Sequence, residues 1–186
     1  MYENNRHNSG LIHQDPEDFS KYCRDVVDFP RKGIVFKDIT TLLKNGDIFK
    51  RAIDEIGWHF NLRTVDTIAC IDARGFIIGA ALAYRLGCGL VPVRKKGKLP
   101  WLVNQKTYDL EYGVDTLEIH RDAIEPGQRV LVVDDVLATG GTSQAVVSLI
   151  KEMQGVVLGA AFLLELKALN GRERLKDVYI YSLIKS

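Results

Sequence analysis

At 186 residues the chain has the length of one ordinary domain, enough to bury about two thirds of its unfolded surface. An apolar fraction of 46% excludes a disordered protein, and no apolar run approaches the ~20 residues needed to span a bilayer. A net charge of +1 argues against a general nucleic-acid binder, which would be strongly basic.

Three scattered cysteines, Cys23, Cys70 and Cys88, lack metal-ligand spacing and imply a reducing compartment. The polar start carries no apolar signal core, so the expected location is cytoplasmic. The histidines are equally dispersed, and no zinc site is expected.

In chain order, residues 1–14 read as a polar tail, about 15–45 as a helix and a small N-terminal unit, and about 46–186 as the core of a single domain. Asp15-Pro16-Glu17-Asp18 offers an N-cap acid, a proline at the first helical position and acids in the first turn. It predicts a helix running to about Val27. Pro30 and Gly33 bracket a short apolar strand. Ile48, Ala52, Ile56 and Phe60 recur at helical spacing and predict a core-facing stripe. From Thr67 the pattern alternates: strand Thr67 to Ile71, helix Gly75 to Leu86 closed by Gly87, strand Leu90 to Val93. After Arg94 periodicity is lost until about Thr116, which predicts a long irregular loop, and such loops are usually functional. Leu117 and Ile119 alternate with polar neighbours, as on a half-exposed hairpin strand. Pro126-Gly127 turns into the central strand, Thr142 to Met153 is helical, and Val156 to Leu164 is strongly apolar. A charged turn over Gly171 to Lys176 precedes a last strand, Val178 to Ile184. Repeated strand–helix–strand units imply an α/β fold, a parallel sheet with helices on both faces.

The most informative stretch is Val130-Leu131-Val132-Val133-Asp134-Asp135-Val136-Leu137-Ala138-Thr139-Gly140-Gly141-Thr142. A strand buried on both faces stops at two carboxylates, and a small-residue loop then opens a helix. Unpaired N–H groups and the helix dipole converge there on an anion. There is no Gly-x-x-x-x-Gly-Lys-Ser/Thr and no Gly-x-Gly-x-x-Gly after a strand, which excludes the commoner nucleotide loops. Two acids would repel a lone phosphate, so they face sugar hydroxyls or a metal ion, and a ribose phosphate has both features. Two further loops lie at strand carboxyl ends, Asp72-Ala73-Arg74-Gly75 and the basic run from Arg94 through Lys95 to Lys98. They place cations where a pyrophosphate would need them.

The stretch resembles the signature of the phosphoribosyltransferases that bind phosphoribosyl pyrophosphate (PRPP). Phe29 to Ile39 is similar to the N-terminal hood of their adenine branch. Tyr108-Asp109-Leu110-Glu111-Tyr112-Gly113 is similar to its mobile β-hairpin loop, and Glu165-Leu166 with Gly171-Arg172-Glu173 to its C-terminal part. The resemblance covers nearly everything from Asp28 to Ile184, and it implies a Rossmann-like core with that hood and loop. It implies that Asp134 and Asp135 hold the ribose hydroxyls while Ala138, Thr139, Gly140, Gly141 and Thr142 wrap the 5′-phosphate. Asp72, Ala73, Arg74, Lys95 and Lys98 would take the pyrophosphate, with Arg94 reaching across from a partner subunit of a homodimer. Phe36 would stack on adenine, Val35 and Lys37 would offer backbone groups to its edge, and Leu166 would cover its other face. Glu111 would handle the purine proton, Tyr112 would seal the site, and Arg74 would stabilise the leaving group. The implied reaction is adenine plus PRPP giving AMP and pyrophosphate in purine salvage, with Mg²⁺ held through PRPP and water and no direct protein ligand. Neither nucleic acid nor a membrane is an expected partner. Two departures stand out: Lys37 occupies a position often held by arginine, and Pro100-Trp101-Leu102-Val103-Asn104 is more apolar than usual. Transfer to another purine, xanthine or guanine, stays open, as does a non-catalytic PRPP-binding regulator.

Overall fold

The structure, a computed structural model, describes residues 17–29, 31–61, 64–109 and 113–186. Strands β1 (Arg24–Val27) and β2 (Val35–Asp38) form a separate antiparallel pair, followed by a short helix α1 (Thr40–Leu43) and by α2 (Gly46–Phe60). Asn45 caps α2, its side chain accepting from the Ile48 N–H at 3.3 Å. The Ile48, Ala52, Ile56 and Phe60 stripe is buried as its spacing predicts.

Next come β3 (Thr67–Ile71), α3 (Gly75–Leu86), β4 (Gly89–Lys95), β5 (Val103–Asp109), β6 (Val114–His120), β7 (Arg129–Leu137), α4 (Gly141–Glu152), β8 (Val156–Glu165) and β9 (Ile180–Lys185). The main sheet has the order β5-β6-β4-β3-β7-β8-β9. Side chains alternate across it. Ile68, Cys70, Leu131, Val133, Ala161 and Leu163 pack with α2 and α3 on one face. Ala69, Ile71, Val130, Val132, Ala160 and Phe162 pack with α4 on the other. Ile68 to Ile71 of β3 and Val130 to Val133 of β7 are apolar without a break because both of their faces are covered.

Two expectations need correction. The helix predicted over 15–27 is not formed: Asp15 and Pro16 lie outside the described residues, and Asp18 caps a single 3-10 turn, Phe19–Tyr22. The chain then becomes β1, in register from Arg24 opposite Asp38 to Val27 opposite Val35. A capping signal is local, whereas the β-branched Val26 and Val27 gain a ladder partner from farther along the chain. The irregular stretch predicted after Arg94 is instead ordered: β4 runs on to Lys95, and β5 and β6 form a hairpin from Val103 opposite His120 to Asp109 opposite Val114. Asn104, Gln105, Lys106 and Thr107 in β5 are polar in succession, so no apolar alternation marks the strand. The sheet is mostly parallel, as the alternation of strands and helices implies, with β6 antiparallel to both β4 and β5 at one edge. Among the described residues no helix is long and apolar enough to cross a membrane.

Candidate active site

The carboxyl ends of the parallel strands open into a cavity of about 610 Å³. Four kinds of element wall it. β2 and the residue before it supply Ile34, Val35, Phe36 and Lys37; the turn between β3 and α3 supplies Asp72, Ala73 and Arg74; β4 and the hairpin supply Lys95, Tyr108, Asp115 and Leu117. The ends of β7 and β8 and the first turn of α4 bring Asp134, Asp135, Val136, Ala138, Thr142, Leu164 and Leu166.

Asp134 Oδ1 accepts from the Asp135 N–H at 2.9 Å. Burial first, and the neighbouring Asp135 charge second, push the Asp134 carboxyl well above the ordinary carboxylate range. Arg74 Nε stands 2.7 Å from Asp135 Oδ2. Its N–H is turned away from that oxygen, which is buried with no hydrogen bond among the described residues. Two adjacent carboxyl groups, one with its charge disfavoured by burial and the other with a buried oxygen that accepts no hydrogen bond among the described residues, are disposed to exchange hydrogen bonds with a diol.

Beyond Leu137 the chain crosses to α4 through Ala138, Thr139 and Gly140. Gly140 is left-handed, with φ 81°, and a Cβ there would collide with the Gly171 carbonyl. A Cβ on Gly171 would in turn collide with the Ala138 carbonyl, so loop and turn meet backbone to backbone. The first helical bond, Gln144 N–H to Gly140 C=O at 2.9 Å, aims the start of α4 toward this turn. Thr142 lines the cavity and its hydroxyl lies 3.4 Å from the Tyr108 hydroxyl. Thr139, Gly140 and Gly141 form the turn without lining the cavity.

On the opposite side, the Asp72–Ala73 peptide is cis, and the Asp72 N–H donates to Val93 C=O at 3.0 Å. The buried Asp72 carboxylate gathers Lys98 Nζ at 2.9 Å and Arg94 Nε at 3.7 Å. These two cations thus sit beside the cavity rather than in its lining, and Lys95 alone of the basic run faces inward. Lys95 Nζ meets Asp115 Oδ2 at 3.0 Å, a hydrogen bond that raises the lysine above its usual value. Burial lifts Asp115, but Lys95 and the Thr116 amide outweigh it and hold the carboxyl below its ordinary range.

Phe36 packs edge-on against Phe29 with ring centroids 5.3 Å apart, and Lys37 Nζ pairs with Asp25 Oδ1 at 2.5 Å. Leu166 N–H donates to Leu137 C=O at 2.9 Å, which holds it over the cavity beside the end of β7. Glu111 and Tyr112 lie outside the described residues. Sequence reasoning missed Asp115 as a cavity residue, because its proximity to Lys95 follows from strand register, Lys95 opposite Leu117, and leaves no local trace. Gly171 could have been suspected from the Asn170-Gly171 pair, a turn signal.

Comparison with known proteins identifies the family. Residues 38–185 match the phosphoribosyl transferase domain family. The chain is 56% identical over 169 residues to the adenine phosphoribosyltransferase of Syntrophotalea carbinolica, covering 91% of this chain and 99% of that one. It is 54% identical to that of Trichlorobacter lovleyi over the same shares. Among solved structures, the adenine phosphoribosyltransferase of Thermoanaerobacter pseudethanolicus superposes with a TM-score of 0.87 at 50% identity, over 90% of this chain and 98% of the other. The Saccharomyces cerevisiae enzyme, solved with an imino-altritol bisphosphate and adenine, gives 0.84 at 35% identity, over 89% and 98%. The chain belongs to the phosphoribosyl transferase family, and within it to the adenine phosphoribosyltransferases, pentosyltransferase enzymes.

Proposed function

We propose that the cavity binds PRPP and adenine and joins them to give AMP and pyrophosphate, with the residues assigned as follows. Asp134 and Asp135 hold the ribose diol, and residues 138–142 clasp the 5′-phosphate through main-chain N–H groups and the start of α4. Arg74 and Lys95, with Asp72 and Ala73 shaping the turn and Arg94 and Lys98 behind it, take the pyrophosphate. Phe36 stacks on adenine, Val35 and Lys37 meet its edge, and Leu166 closes the other face. The observation that carries this reading is the meeting of adjacent carboxylates, a helix-start loop and the Phe36 strand in one cavity.

As the bond from C1 to pyrophosphate breaks, positive charge builds on the ribose ring. The paired acids favour that charge, and Arg74 and Lys95 favour the departing anion. Glu111, between β5 and β6 in the sequence, accepts the proton released as the purine nitrogen bonds to C1, and Tyr112 seals the site against water. No three-ligand cage of His, Cys, Asp or Glu exists among the described residues. Asp134 and Asp135, whose buried Oδ2 accepts no hydrogen bond among the described residues, would instead hold a Mg²⁺ indirectly, through water and the substrate. When bound, that ion offsets the pyrophosphate charge.

We further infer one domain, a cytoplasmic location and a homodimer. Ile77 and Tyr84, seven residues apart on one side of α3, are exposed apolar groups suited to a second copy. Light scattering at working concentration checks the dimer. The function is tested by incubating the purified chain with PRPP, Mg²⁺ and each of adenine, guanine and xanthine, and separating the nucleotides. AMP should form in preference to the other products. Faster GMP or XMP formation would move the assignment to another purine, and PRPP binding without turnover would favour a regulator.

A further inference from the structure

The segment after β8 enters the reaction above through Leu166, yet its strongest interaction lies elsewhere. Arg172 grips Glu165 with both arms of its guanidinium, Nε donating to Oε1 and Nη2 to Oε2, each at 2.7 Å. Glu165 is buried and stands opposite Leu137 in the β7–β8 register. The remaining reach of Arg172 goes to Ile180 C=O at 3.3 Å and Ser182 Oγ at 3.4 Å on β9. Each partner of this clamp adjoins a residue of the cavity wall or its support. Glu165 precedes Leu166, which lines the cavity, and Arg172 follows Gly171, whose backbone lies against Ala138 and Gly140. Among the described residues, no hydrogen bond of the clamp reaches the Asp72–Arg74 turn.

We propose that Arg172 is a positioning residue that sets the 5′-phosphate loop, through Gly171, and the adenine-covering Leu166, through Glu165, while leaving the pyrophosphate turn untouched. The proposal rests on the site roles assigned above. A planar fork bonded at both ends fixes direction as well as distance, which a lysine ammonium at the same place does not. Without the fork, the turn at 170–172 loses its orientation. A loop displaced by about 1 Å can cost a reaction up to 10²-fold.

The test is calorimetric titration of ribose 5-phosphate and, separately, of magnesium pyrophosphate into the wild-type chain and into Arg172→Lys and Ser182→Ala. Arg172→Lys should weaken ribose 5-phosphate by about tenfold, leave pyrophosphate within about twofold, and raise KM for PRPP and adenine together. Ser182→Ala removes one lesser contact and should move ribose 5-phosphate the same way by about two- to threefold. It carries the comparison alone if Arg172→Lys does not fold. Unchanged ribose 5-phosphate affinity in a folded variant overturns the proposal, and so does equal weakening of both ligands, which would signal general loosening. If the wild-type chain binds no ribose 5-phosphate, the site reading itself falls and takes this inference with it.

Discussion

The parallel centre of the molecule and its antiparallel attachments divide the cavity between them, and they are built differently. β3, β7 and β8 are covered on both faces, and the groups at their ends are held by main-chain ladders on either side. The β1–β2 pair is a separate two-stranded sheet, the β5–β6 hairpin joins the main sheet only at Arg94 and Lys95 of β4, and each leaves apolar groups such as Val27, Val35 and Val114 exposed. Two-stranded units contribute little stability of their own and draw on the body they rest against. On the proposed assignment, the acids that hold the diol and the phosphate loop therefore belong to the firmer part, and the base-binding and proton-handling groups to the softer one.

The sharpest way to break that division is Glu111→Gln. If the hairpin carries chemistry, kcat falls about 10²–10⁴-fold while ribose 5-phosphate binding, a property of the centre, persists. Unchanged turnover in steady-state rates removes Glu111 from the mechanism. Asp134→Asn probes the centre itself. The Asp134 carboxyl is raised by burial and by Asp135, so its ionised form costs stability above the ordinary carboxylate range. That cost disappears as pH falls through the raised folded value. The Asn variant should therefore melt about 2–4 °C higher at neutral pH, as expected for about 1 kcal/mol in a chain of this size, while AMP affinity drops in calorimetry. Phe36→Ala should raise KM for adenine about tenfold through lost stacking and leave KM for PRPP unchanged, since only the attachment is altered. The smallest effect lies at the far end of the centre. Asp66 receives Arg129 Nη2 at 2.6 Å and Nε at 2.9 Å, and these bonds hold its carboxyl down at about 2. The stability it adds is complete above the ordinary aspartate value of 3.8 and is lost as pH falls toward 2. Acid unfolding of Asp66→Asn should lack that part of the pH dependence and show unaltered turnover at neutral pH.

The same division explains what could be read from the chain alone. Val130 to Thr142 announces itself because strand, acids, loop and helix start are contiguous, and α3 with its terminal Gly87 is equally local. The attachments depend on pairing across the chain. β1 was disguised by a helix-start signal, and β5 by polar residues on both of its faces. Asp115 reaches Lys95 through register, and Gly171 reaches Gly140 through a contact between segments thirty residues apart. Patterns within a window of a few residues carry no information on either.

The tie between Asp66 and Arg129 has a consequence for selectivity. It joins β3 to β7 at the end away from the cavity, and these strands are immediate neighbours. Neighbouring strands stand about 4.8 Å apart, a spacing set by peptide geometry and indifferent to side-chain substitution. The turn after β3 and the acids closing β7 thereby act as the two marks of a ruler. On the proposed assignment of the two sites, a sugar donor would be measured by whether its leaving group and its hydroxyls fall on both marks at once, and one a phosphate unit too short would reach a single mark.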